Sequence, residues 1–76
     1  MPMAFLFIQV KLGTTKYVYD ALKQIPNIQE AFMVYGKHDI IVKIVAVTMD
    51  ELKHLVTYTI RQLGNICANQ TMIVMD

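Results

Sequence analysis

The chain has 76 residues, seven Lys and Arg, six Asp and Glu, a net charge of +1 and one cysteine. Its length holds a single domain, 1–76, and a chain this short buries only about 60% of its unfolded surface. The charge is scattered over Lys11, Lys16, Lys23, Lys37, Lys43, Lys53 and Arg61, which excludes the clustered basic face by which nucleic acid is bound.

A lone Cys67 removes intrachain disulfides as a source of stability. It suits a reducing compartment, so the protein is expected to be cytoplasmic. Cys67, His38 and His54 lack zinc-ligand spacing, and no metal or cofactor is expected. The longest purely apolar run, Met3–Ile8, is too short to span a bilayer and has no signal-peptide flanks, so no membrane partner is expected. Oligomerisation is left as the stabilising route. A hydrophobic fraction of 55%, above the usual figure of roughly 45–50%, supports it.

In chain order, Met3–Lys11 is rich in Phe, Ile and Val and predicts a strand. Gly13-Thr14-Thr15 breaks it and offers a hydroxyl N-cap to a helix carrying Val18, Ala21, Leu22 and Ile25 on one face. Pro26-Asn27 ends that helix. Ile28–Tyr35 and Ile40–Val47 read as strands, joined by Gly36–Asp39 at hairpin-loop length. Thr48-Met49-Asp50-Glu51 is a capping box opening a second helix. That helix presents Leu52, Leu55, Val56, Thr59 and Leu63, with Gly64 as its C-terminal cap. Ile66–Met75 is the fourth strand.

The two halves repeat: "LKQIPNI" at 22–28 aligns with "IRQLGNI" at 60–66. Each copy is a helix end, a break and a strand start. The order βαββαβ predicts an α+β, ferredoxin-like fold, a four-stranded antiparallel sheet with two helices on one face.

Parity separates the faces of that sheet. Even positions Leu6, Ile8, Val10, Ile28, Val42, Ile44 and Ile66 are apolar and should meet the helices. The odd positions Phe5, Phe7, Gln9, Met33, Tyr35, Ile41, Lys43, Val45, Thr71, Ile73 and Met75 are mixed but still greasy. An exposed apolar face of that size marks an interface. Phe5, Phe7, Met33, Tyr35, Ile41, Lys43, Val45, Ile73 and Met75 are therefore expected to pack on another subunit. Lys43 inside this face needs solvent or a carboxylate, and Glu30 or Asp76 across the subunits is the expected partner.

The hairpin "GKHDIIVKIVA", Gly36–Ala46, the capped second helix and the final "NQTMIVM" together resemble the effector-binding (RAM) domain of Lrp/AsnC transcriptional regulators. The resemblance covers about Ala4 to Met75. Full-length members carry an N-terminal helix-turn-helix, so the chain resembles a stand-alone form. The resemblance implies a non-enzymatic module that binds an amino-acid effector at subunit interfaces. It implies dimers built through the sheets as an α/β sandwich or barrel, then octamer-like or decamer-like rings, and co-assembly with full-length regulators. It carries effector binding to Gly36, where backbone approaches the ligand, to Asp39, which would accept from an α-amino group, and to Thr71. Where the family has a tyrosine before the aspartate this chain has His38, and before Thr71 it has Ala68-Asn69. His38 and Asn69 thus join the expected effector-binding set.

Other readings of the same residues are weaker. His38-Asp39 invites a catalytic pair, yet neighbours at a strand end point to opposite faces, and the chain has no serine. An ACT-type amino-acid sensor shares the element order and places its glycine after the first strand, where Gly13 stands. A dimeric α+β barrel enzyme would need Gln9, Lys43 and Tyr35 inside a sheet cavity, and a purely structural oligomer would need no ligand.

Overall fold

Alternation along the first strand decides where the core lies. In a computed structural model describing residues 1–75, β1 (Met3–Val10) turns Ala4, Leu6, Ile8 and Val10 inward. β3 (Ile40–Val45) does the same with Ile40, Val42 and Ile44. The remaining elements are α1 (Thr15–Leu22), β2 (Ile28–Met33), α2 (Met49–Gln62) and β4 (Ile66–Ile73). The strands form one antiparallel sheet in the order β2-β3-β1-β4. This is the expected ferredoxin-like α+β arrangement. Val18 and Leu22 of α1 and Leu52 of α2 join the strand residues in one core.

The strands end earlier than the residue pattern suggests. β2 stops at Met33 rather than Tyr35, β3 at Val45 rather than Val47, and β4 at Ile73 rather than Met75. Capping also differs. The Thr48 hydroxyl accepts from the Glu51 N–H at 3.1 Å, as the capping box requires. The Thr14 hydroxyl instead donates back to the Lys11 carbonyl at 2.6 Å, so α1 begins without a side-chain cap. At the end of α2 the left-handed residue is Asn65, with φ 70°, and not Gly64. Asparagine tolerates that region because its short side chain is compatible with it.

The internal repeat has a structural counterpart. Asn27 and Asn65 occupy equivalent repeat positions, and each ties its turn to a neighbouring strand end. Asn27 accepts from the Val45 N–H at 3.1 Å and donates through Nδ2 to the Val45 carbonyl. Asn65 accepts from the Lys11 N–H at 2.8 Å. Two residues later in each copy, the ladder bulges. Ile28 faces Ile44 but Glu30 faces Lys43, leaving Gln29 as the extra residue. Ile66 faces Val10 but Ala68 faces Gln9, leaving Cys67 as the extra residue.

These bulges correct the parity assignment, because one inserted residue sends every later side chain to the opposite face. Directly paired residues share a face. Met33 pairs with Ile40, Thr71 with Leu6 and Ile73 with Ala4, so all three lie on the helix side. Phe32, opposite Ile41, and Met72, opposite Phe5, take the places expected for Met33 and Ile73 on the open face. Tyr35 and Met75 fall outside the strands. The open face therefore presents Met3, Phe5, Phe7, Phe32, Ile41, Val45 and Met72, with Glu30 directly across from Lys43 in the same chain. Asp76, the other partner expected for Lys43, lies outside the described residues.

Thr59 on α2 is fully buried and its hydroxyl has no hydrogen-bond partner among the described residues. Thr59→Val keeps the shape and the helix propensity while removing that group. The substitution is expected to stabilise by up to about 1 kcal/mol, a rise of roughly 4–8 °C in melting temperature. Thermal denaturation followed by circular dichroism measures it.

Candidate functional site in the β2–β3 hairpin

The β2–β3 connection is closed by the Val34 N–H donating to the Asp39 carbonyl at 2.9 Å. Gly36 within it has φ +128°, a conformation that side-chain-bearing residues rarely adopt. Three further hydrogen bonds tie the loop to β1. The Asp39 N–H donates to the Ile8 carbonyl at 2.9 Å, and the Gln9 side-chain amide donates to the Lys37 carbonyl. Asp39 Oδ2 accepts from the Val10 N–H, also at 2.9 Å. That last bond serves the backbone where the β1–β4 ladder shifts register. Asp39 thus has a structural role that the residue pattern did not reveal.

His38 goes the other way. Its ring stands 5.5 Å from that of Phe7, tilted by 50°, against an aromatic of the open face. The imidazole and the Asp39 carboxylate therefore engage different partners, as expected for neighbours at a strand end. The polar groups that a sheet-cavity enzyme would need do not gather either. Gln9 is committed to Lys37, and Tyr35 projects fully into solvent from the loop.

A cleft of about 440 Å³ opens beside the hairpin, lined by Thr15, Met33, Val34, Tyr35 and Asp39. Its volume falls in the range of small-molecule sites, about 300–1,000 Å³. Met33 and Val34 give an apolar wall. Thr15 brings a hydroxyl, Tyr35 stands at the solvent edge, and Asp39 brings a carboxylate with Oδ1 unpartnered among the described residues. Thr15 is the first residue of α1, whose first-turn N–H groups have no side-chain cap. Uncapped N–H groups at a helix start favour negative charge. The cleft thus offers an acceptor for an amino group and, beside it, donors for an acid.

Of the residues expected to bind effector, Gly36, His38 and Asp39 share the hairpin, and only Asp39 lines the cleft. Asn69 and Thr71 lie on the edge strand β4, opposite Ile8 and Leu6. The whole of β1 separates them from β3, a displacement of about 10 Å across two strand spacings. Both are solvent-exposed. Thr15, Met33 and Tyr35 carried other expectations, cap and sheet face, because only the crossover of α1 brings the helix start beside the hairpin.

The model of the Lrp/AsnC ligand binding domain matches residues 3–76. The chain belongs to this family. Among solved structures, the Lrp/AsnC domain described here is similar to a hypothetical protein of Pyrococcus horikoshii. The two are 33% identical with a TM-score of 0.92, over 100% of this chain and 92% of that one. FFRP-DM1 is also 33% identical, with a TM-score of 0.91, over 99% of this chain and 100% of that one. A transcriptional regulator of Neisseria meningitidis, solved as a complex with L-Met, shares the fold. Its identity is 17% and its TM-score 0.81, over 99% of this chain and 50% of that one. The Lrp/AsnC domain therefore spans nearly all of the first two proteins and half of the third. No curated protein matches the chain. Family membership separates the chain from the ACT type, which shares its element order. Among the described residues, no helix is long and apolar enough to cross a membrane.

Proposed function

We propose that this Lrp/AsnC domain is a non-catalytic, cytoplasmic amino-acid sensor whose effector sits in the cleft beside Asp39. The observation that carries this reading is the pairing, in one cleft, of a carboxylate with a free oxygen and an uncapped helix start. An amino acid has the complementary ends: its α-ammonium donates to Asp39 and its carboxylate meets the first turn of α1. Gly36 lets the loop backbone approach, while His38 turns to Phe7 on the open face. Asn69 and Thr71 are too far across the sheet to reach the same ligand within one chain, so they complete the site from a neighbouring subunit. Assembly proceeds through the open sheet face, giving dimers and then larger rings. Effector binding shifts assembly by its differential affinity for the states, and co-assembly with full-length regulators would carry that signal to transcription. The L-Met complex of the Neisseria regulator is consistent with an amino-acid ligand in this family.

Thermal denaturation with each of the twenty amino acids, paired with mass by light scattering, tests the reading. A ligand at 100 times its dissociation constant adds about 2.7 kcal/mol, which for this length raises the melting temperature by on the order of 10 °C. A stable oligomer whose melting temperature responds to none of the twenty would overturn it.

A further inference from the structure

Asp39 and the start of α1 account for the two ends of an amino acid in the cleft, and the rest of the lining faces its side chain. Met33 pairs with Ile40, so it lies on the helix side of the sheet. Ala31, two residues earlier on the same face, is packed against the core, but Met33 is 51% exposed. Helix α1 begins only at Thr15, beside Met33 in the cleft, and leaves this end of β2 uncovered. Val34, half-buried, continues the apolar wall.

Charge is as unevenly placed as cover. Among the described residues, Asp39 is the sole charged side chain lining the cleft. Lys16, the next residue after Thr15, is held by Asp20 at 3.2 Å. Asn69 and Thr71, which the proposed assembly brings from a neighbouring subunit, are neutral. A second cleft, of about 280 Å³, lies at the other end of the sheet and is lined by Met1, Pro2, Met3, Met49, Val74 and Met75. It is apolar too, but among the described residues it has no charged side chain to fix an amino acid's backbone.

We infer that, resting on the reading of the first cleft as an amino-acid site, its effector carries a neutral, apolar side chain of the leucine and methionine class, and that Met33 selects it. With its ammonium on Asp39 and its carboxylate at the first turn of α1, the ligand turns its side chain to Met33 and Val34. An apolar chain covers the methionine that α1 leaves bare and takes both surfaces out of water. A glutamate side chain would lose its water there with no cation to meet it. A lysine side chain would find one free carboxylate oxygen, already engaged by the ligand's own ammonium. Glycine gains nothing from the wall. Each methylene fully covered raises affinity by about fourfold, so a leucine side chain only partly covered still outbinds glycine by at least about tenfold.

The test is calorimetric titration with L-leucine, L-methionine, glycine, L-glutamate and L-lysine, paired with NMR of carbon-13-labelled methionine methyls. Leucine and methionine should bind at least tenfold more tightly than the other three. Leucine should shift the Met33 methyl and leave that of Met49, in the other cleft, in place. Met33→Lys should lose at least tenfold in leucine affinity and gain in glutamate affinity, with an unchanged circular dichroism spectrum. If that variant fails to fold, Met33→Ala serves, and it should bring leucine towards glycine. Glutamate or lysine bound as tightly as leucine, or a ranking unchanged in the Met33 variants, would overturn the selectivity while leaving the cleft an amino-acid site. Binding of none of the five would overturn it as well, and no response to any of the twenty amino acids would remove the site itself.

Discussion

Replacing Phe7 with aspartate is expected to reduce the protein to a monomer of 8.7 kDa while leaving its fold intact. Phe7 lies on the open face, paired with Ile41 on one side and Gln70 on the other. The inward residues of β1 are Leu6 and Ile8, which do not share that face. A carboxylate there remains solvated in the isolated chain and costs the core nothing. In the proposed assembly the same carboxylate would be taken out of water among Phe5, Phe32, Ile41 and Met72, with the nearby Lys43 already facing Glu30. A buried unpaired charge costs on the order of 3 kcal/mol, so the dissociation constant should rise by more than about 100-fold. Light scattering and analytical ultracentrifugation at micromolar concentration read the mass, and circular dichroism checks the fold. An unchanged oligomer would show that the sheet's open face is not where subunits meet.

The structural role of Asp39 and its proposed role in binding come apart under two substitutions. Asp39→Ala removes the acceptor for the Val10 N–H and leaves that group unpaired in a partly buried position. The expected loss is about 2 kcal/mol, in the range for hydrogen bonds to charged groups, or roughly 8–16 °C in melting temperature. Asp39→Asn keeps an oxygen acceptor of the same shape, so its melting temperature should stay within a few degrees of the parent. The amide no longer carries charge for an ammonium group. Amino-acid affinity should therefore fall at least tenfold, as expected for loss of a charge-assisted contact. Calorimetric titration of the asparagine variant with whichever amino acid stabilises the parent protein reads this directly. Full affinity in that variant would remove Asp39 from the site and leave it as a structural latch alone.

In this hairpin the residue types are visible in the sequence and their partners are not. Gly36 and Asp39 stand out in the chain because turns favour them, and the same residue types serve ligand contact. Nothing local distinguishes an aspartate that only turns the chain from one that also holds the backbone of a distant strand. Val10 is 29 residues away, and its N–H needs a partner only because the β1–β4 ladder shifts there. His38 shows the same limit, since its neighbour Phe7 becomes visible only once β1 and β3 are paired.

What the amino-acid order settled by itself rests on short-range physics. Period-two alternation in β1 and β3 set the buried face, the Thr48 capping box started α2, and the repeated helix-break-strand segment implied the βαββαβ order. Each depends on residues within a few positions of one another, where backbone preference and side-chain direction are nearly fixed. The tertiary structure decided what depends on pairing between distant strands. The bulges at Gln29 and Cys67 moved Met33, Thr71 and Ile73 to the helix side and brought Phe32 and Met72 to the open face. A bulge is set by how two strands meet across a ladder, and its effect on facing is complete because the strand period is two. The two clefts are tertiary in the same sense. Thr15 and Asp39 line one cleft, and Met3, Met49 and Met75 another, only because crossover helices return the chain to the ends of one sheet.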